Sequence, residues 1–207
     1  MENEINKALI FIPDISGFSR FTHDTNIISG KYIIMELLTA IIESNALHLK
    51  ISEIEGDAVL FYRFGKAPDI ASVLNQFETM LINFKLKLHE INLRLKTKIA
   101  LSLKLIVHYG QVIEYRVDHF KKLYGEAIVE SHLLLKNTIA SSNYVLFSEE
   151  ALEAAQAARQ TVVLPNWVAK RDLYIKREGS QDRHLTYYEY DTAVLKENVL
   201  LRMKDSR

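Results

Sequence analysis

Apolar residues run almost unbroken from Ala8 to Pro13 and then give way to Asp14 and the small residues Ser16 and Gly17. A run without polar alternation predicts a strand buried on both faces, with the proline at its end because it cannot donate to a ladder. Phe18 to Ile28 reads as a short helix or an irregular bridge. After Gly30, Ile33, Ile34, Leu37, Leu38 and Ile41 recur at three- and four-residue spacing and predict an amphipathic helix. Leu47 to Glu53 and Asp57 to Arg63 alternate as the two strands of a hairpin around Glu55 and Gly56. Pro68 stands where a first helical turn belongs, and Ile70, Val73, Leu74, Phe77, Leu81, Phe84 and Leu88 carry that helix to its end near Asn92.

From Thr97 to Val107 the period falls to two, with Ile99, Leu101, Leu103, Leu105 and Val107 on one face and Ala100, Ser102 and Lys104 on the other. Gly110 marks the turn to a hairpin partner, Gln111 to Arg116, and Asp118 to Leu123 reads as a polar connection. Gly125 leads into a helix whose buried stripe is Ala127, Ile128, Ser131, Leu134 and Leu135. Tyr144 to Phe147 predicts a short strand, and Ser148 caps a helix from Glu149 to Ala157. Thr161 to Leu164, Asp172 to Lys176 and His184 to Tyr190 predict further strands, and Leu195 to Arg207 a short helix with a basic tail. The order of strand, helix, hairpin, helix, hairpin, helix predicts an α+β domain with helices packed on a mainly antiparallel sheet. No Pro, Gly or Ser tract divides the chain, so residues 1–207 are expected to form a single domain.

Composition narrows the function. Lys plus Arg equals Asp plus Glu at 26 each, so the overall field makes no case for nucleic acid or an anionic membrane surface. The absence of cysteine removes disulfides, thiolate nucleophiles and Cys-bound zinc. The seven histidines show no paired ligand spacing, and His108, just before Tyr109 and Gly110, reads as a hydrogen-bonded structural residue. The first apolar run reaches Pro13 too soon for a signal peptide or a membrane span, so a cytoplasmic protein without membrane insertion is expected.

The candidate chemistry lies at two acids. Asp14 ends a strand and is followed at once by a glycine-bearing turn, and Asp57 follows Gly56 within the hairpin. Hard phosphate-bound cations take carboxylate oxygens, and two acids at the ends of adjacent strands can share a divalent ion. The turn N–H groups of Ser16, Gly17 and Phe18 can face phosphate oxygens where a helix opens. The alternative for Asp14 is an ordinary turn and helix cap.

The segments FIPDISGFSRFT, SEIEGDAVLFYRFG, VHYGQV and LYGEAIVESHLL, in this order, resemble the catalytic-domain pattern of class III adenylate and guanylate cyclases. They also resemble an uncharacterised bacterial branch of that superfamily. The resemblance covers roughly Leu9 to Glu150 and implies a ferredoxin-like core over residues 9–150, with residues 151–207 as a C-terminal extension. It implies a head-to-tail homodimer with sites between subunits, magnesium or manganese as cofactor, and a purine nucleoside triphosphate as ligand. The metal positions it implies are Asp14, the Ile15 carbonyl and Asp57, and the phosphate-facing turn is Ser16, Gly17, Phe18 and Ser19.

Glu53 and Lys122 fall on the base-recognition positions. A glutamate at position 53 resembles the guanylate group, since a carboxylate accepts hydrogens from guanine N1 and N2, whereas Lys122 matches neither group. The choice between ATP and GTP stays open. The main departure is in the helix after Gly125, where the family's catalytic asparagine falls on Val129 and its transition-state arginine on Leu133. Neither side chain can donate a hydrogen bond, and Lys121, Lys136 and Arg20 are the cations that could substitute. Three functions compete: metal-dependent purine nucleotide binding with weak or lost cyclase activity, an active atypical cyclase, and a non-enzymatic dimerisation scaffold in signalling. The missing helix-borne donors favour the first.

Overall fold

The computed structural model describes residues 4–156, 162–175, 183–191, 193–194 and 197. The chain folds in the order β1 (Asn6–Ser16), α1 (Phe18–Asp24), α2 (Ile27–Glu43), β2 (Lys50–Glu55), β3 (Ala58–Phe64) and α3 (Ile70–Leu95). It continues as β4 (Ser102–Val117), β5 (Phe120–Tyr124), α4 (Glu126–Leu135), β6 (Tyr144–Phe147), α5 (Glu149–Gln156), β7 (Val168–Ile175) and β8 (Arg183–Tyr190). The sheet has the order β2-β3-β1-β4-β6-β8-β7, with β5 added on the far end of β4. Every neighbouring pair is antiparallel except β4 and β6. This is the α+β fold that the element order predicts, with the ferredoxin-like core that the resemblance implies.

The apolar run of β1 is buried on both sides of the sheet because successive side chains of a strand point to opposite faces. Leu9 and Phe11 enter the larger core, with Ile33 and Leu37 of α2, Phe77 and Phe84 of α3 and Ala151 of α5. Ala8, Ile10 and Ile12 enter the smaller one, with Ala127 and Leu134 of α4. Thus α2, α3 and α5 cover one face and α4 the other. Among the described residues no helix is long and apolar enough to cross a membrane.

Helix starts follow their caps. The Asn26 side chain accepts from the N–H groups of Ile28 and Ser29, so α2 begins before Gly30 and takes that glycine into its first turns. Asp69 caps α3 through the Ser72 N–H, with Pro68 just outside. That helix continues to Leu95, three residues past the expected end. The following Thr97 to Leu101 segment is not strand, because the Asn92 side chain engages Thr97 and both the N–H and the carbonyl of Ile99.

Four further expectations are corrected. The predicted hairpin at Gly110 does not form: β4 runs through it to Val117 and turns at Asp118, whose φ is 54°. The expected polar connection from Asp118 to Leu123 therefore contains the true partner strand, β5. Gly110 serves close packing, since a Cβ there would lie 2.8 Å from the Ala127 Cβ, and its absence lets α4 approach the sheet. Val162 to Leu164 is not strand, and β7 instead begins at Val168, earlier than the expected Asp172. Ala157, Thr161, Lys176 and nearly all of the expected helix and tail from Leu195 to Arg207 lie outside the described residues.

Gly125 sets the entry of α4. Its φ is 147°, and a Cβ would meet the Gln111 carbonyl oxygen at 2.6 Å and the Val112 Cα at 3.3 Å. Gly65, at φ 85°, has nothing within 4 Å of the same point. Gly125→Ala is therefore expected to lose about 1–3 kcal/mol or more from strain alone. Gly65→Ala should lose less, and urea midpoints of the two variants compared with the parent chain check this order.

Candidate functional site

The two acids meet at one end of the sheet. Asp14 pairs with Ala58 across the antiparallel β1–β3 ladder, which sets the preceding residue, Asp57, beside it. The Ile15 N–H donates to the Asp57 carbonyl at 3.2 Å, and Gly56 turns the hairpin at φ 60°. On the other side Asp14 pairs with Lys104 of β4, whose Nζ lies 3.6 Å from Asp14 Oδ1. The same ammonium donates to the Leu135 carbonyl at the end of α4, at 3.3 Å.

The electrostatics follow from this crowding. Burial raises the Asp14 pKa, although Lys104 opposes the rise. Asp57 is pushed up to about 6, first by burial and then by the negative charge of Asp14, with its backbone hydrogen bond and Lys104 recovering only part. The site is thus two partly desolvated carboxylates with one ammonium between them and the end of α4. It is short of positive charge.

Oxygen donors of this kind suit a hard cation. Among the described residues no group of three or more His, Asp or Glu is arranged to hold a metal; Asp14 and Asp57 bring two carboxylates together here. Magnesium is commonly held by one or two carboxylates, the remaining positions falling to water and phosphate oxygens, and the pair fits that pattern.

The turn after Asp14 packs directly on the Asp57 turn. A Cβ on Gly56 would touch the Phe18 ring at 3.9 Å. Gly17 occupies the left-handed region at φ 91° and caps α1 without any side-chain hydrogen bond, so the cap itself gives the first N–H groups of the helix no acceptor. Ser16 pairs with Ser102, and Ser19 is exposed.

Glu53 and Lys122, 69 residues apart, form an ion pair. They meet because the far end of β4 and β5 fold back over β3 and β2, a path also held by Tyr62, whose hydroxyl donates to Glu114 at 2.9 Å. Val129 and Leu133 lie one turn apart on the outer side of α4 and are 59% and 44% exposed. Two of the cations named from the sequence are already paired, Arg20 with Asp24 and Lys121 with Glu114, each at 3.4 Å. Sequence reasoning missed Lys104 as a site residue. The signal was a charge set between two core positions, Leu103 and Leu105. It also missed Glu130, which is buried on α4 and paired with Arg183.

This architecture is that of the class III nucleotidyl cyclase catalytic domains. The structure superposes on the adenylyl cyclase CyaB from P. aeruginosa with a TM-score of 0.62 and 13% identity, covering 92% of this chain and 96% of that one. For the guanylyl cyclase Cya2 the TM-score is 0.64, with 18% identity and coverage of 92% and 94%. For a class III adenylyl cyclase-like ATP-binding protein from Pseudomonas aeruginosa it is 0.58, with 12% identity, 72% of this chain and 35% of that one. At these identities the likeness is one of fold. The chain belongs to the family described as "Protein of unknown function (DUF2652)", which it matches over residues 34–144. It is also similar to the Uncharacterized protein Rv2561/Rv2562 of Mycobacterium tuberculosis (strain ATCC 25618 / H37Rv), at 24% identity over 137 residues. That match takes in 63% of this chain and spans 64% of the relative's length.

The acid pair has a stability signature. Because the folded pKa of Asp57 lies above its ordinary value of 3.8, the folded state binds that proton more tightly, and this group's contribution to stability falls as pH rises from about 4 to about 6. Asp57→Asn, which is isosteric and uncharged, should therefore stabilise the metal-free protein at pH 7.5. The gain, discounted for solvent screening, is of order 1 kcal/mol, or about 2–4 °C in a chain of this size. Near pH 4 the gain should vanish. Thermal melts of both proteins across this pH range check the sign.

Proposed function

We propose that this chain is a homodimeric domain that binds a purine nucleoside triphosphate with magnesium or manganese, on the class III cyclase fold, and that its cyclase activity is weak or lost. The observation that carries the reading is the Asp14 and Asp57 pair, two mutually repelling carboxylates with Lys104 as the counter-charge among the described residues, at the foot of a turn whose capping residue, Gly17, supplies no side-chain acceptor. A divalent ion held there would neutralise phosphate charge. Lys104, then no longer the sole counter-charge of Asp14, adds a donor for a phosphate oxygen. The N–H groups of Ser16 to Ser19 supply further donors at the opening of α1. The similarity to a protein described as ATP-binding and cyclase-like supports binding as a function in its own right on this fold.

Glu53 and Lys122 act as the base-reading pair. The carboxylate accepts from guanine N1 and N2 and the ammonium donates to O6, so GTP is the better match to the pair. Dimerisation draws support from the exposed apolar side chains of α4 and the β4–β5 arm, among them Val117, Phe120, Tyr124 and Val129. Catalysis is the part in deficit. Val129 and Leu133 offer no donor to developing charge, and loss of a transition-state arginine costs about 10³-fold or more in rate. Ground-state binding does not depend on that donor.

Equilibrium titration of the purified chain with GTP and with ATP, in manganese and in magnesium, tests this, with chromatography of the same samples for cyclic product. Metal-dependent binding is expected, tighter for GTP, weakened about tenfold or more by Asp57→Asn, with cyclic product absent or very slow. Rapid cyclisation that disappears in Asp14→Asn and Asp57→Asn would establish an active enzyme instead. No binding in either metal would leave a dimerisation scaffold, and a monomeric mass in light scattering with metal and nucleotide present would remove the dimer.

A further inference from the structure

A second cleft, of about 390 Å³, opens on the α4 side of the sheet and includes none of Asp14, Asp57, Glu53 or Lys122. Its polar wall brings together His108 of β4, Glu126 and Glu130 of α4, Glu150 of α5 and Arg183 of β8. Among the described residues three carboxylates face one guanidinium, and that guanidinium is engaged with Glu130. Glu126 and Glu150 are left as the excess negative charge.

His108 determines what such a cleft accepts. It is 4% exposed, and its Nδ1 lies 2.8 Å from Ser148 Oγ and 3.6 Å from Glu150 Oε2. A ring nitrogen facing a carboxylate and a hydroxyl carries the proton, which leaves Nε2 as a bare acceptor. Nε2 has no hydrogen-bond partner among the described residues. It sits next to Gly110, where a Cβ would come within 3.3 Å of it, so the glycine keeps that nitrogen open to the cleft. Burial also holds the imidazole pKa below its ordinary value, so the ring is neutral at neutral pH.

Apart from the Gln111 amide and the Tyr124 hydroxyl, which both donate and accept, the unengaged polar side-chain groups named here are acceptors. The volume is several times the ~30 Å³ share of a water molecule, more than a bare ion needs. Among the described residues no three acids or imidazoles are arranged for a metal. Ile5 and Tyr124 add apolar and aromatic surface for a carbon chain, and a cation is further favoured by a ring face. We infer that this cleft binds a small organic cation, a primary ammonium on a short alkyl chain, which donates to His108 Nε2 and lies in the negative field of Glu126 and Glu150. The inference uses none of the nucleotide-site residues and shares only Tyr124 with the surface proposed for dimerisation.

Calorimetric titration of the full chain with butylammonium and with putrescine tests it, with butyrate and 1-butanol as matched controls. Saturable binding of the amines and none of the controls is expected. Glu126 is exposed at the start of its helix, so Glu126→Gln keeps the fold and should weaken amine binding about tenfold or more, as should Glu150→Gln. Asp57→Asn should leave amine affinity unchanged. The proposal is overturned by any of three results: no saturable amine binding, equal binding of 1-butanol, or amine affinity indifferent to both glutamine variants. Manganese that competes with the amines at this cleft would make it a metal site and overturn the proposal equally.

Discussion

The pairing of β1 with β4 is the constraint on which the rest depends. The two strands stay in one antiparallel register along the whole of β1, from Asn6 opposite Val112 to Ser16 opposite Ser102. That register sets Asp14 against Lys104 and keeps Ile10 and Ile106 in one core while Phe11 and Val107 share the other. A slip of one residue would turn Asp14 into the larger core and the apolar side chains out of theirs, so the buried faces fix the position of the acid. The second acid follows from the β1–β3 ladder in the same way.

Two elements that share this frame are polarised in opposite senses. The strand ends carry charge that the fold does not stabilise: two carboxylates raised above their ordinary pKa, with one lysine shared between Asp14 and the end of α4. Unfavourable electrostatics of this type are typical of sites prepared for a ligand of opposite sign. The outer face of α4 carries one carboxylate, Glu126, at its start. Its two positions of interest are apolar and open, so whatever they meet is met by surface contact and not by hydrogen bonding. The same helix faces inward through Glu130 and Ser131, both buried.

Much of this was legible in the chain. The unbroken apolar run of β1 and the three- and four-residue spacing of α2 and α3 specify burial directly, and Asp14 and Asp57 stand out because each is an acid where an apolar strand meets a turn. Other features depend on contacts that periodicity does not encode. A glycine that opens a turn and a glycine that admits a helix look alike in sequence, which is why Gly110 suggested a hairpin while the turn lies at Asp118. Lys104 showed only as a polar residue on a strand face, because its role comes from Asp14 and Leu135, far away in the chain. The Glu53–Lys122 pair requires the fold-back of β5, and the early start of β7 at Val168 is set by pairing with Tyr190.

The central claim is that Asp14 and Asp57 put their carboxylates on the same ion that holds the phosphates of a nucleotide. Electron–nuclear double resonance of manganese measures this directly, using protein labelled with ¹³C at its aspartate carboxyl carbons and a non-hydrolysable guanosine triphosphate. The account predicts ¹³C and ³¹P couplings on one ion, with the ¹³C coupling lost in the Asp14→Asn, Asp57→Asn double variant. Manganese coupled to ³¹P alone in the unmodified chain would contradict it.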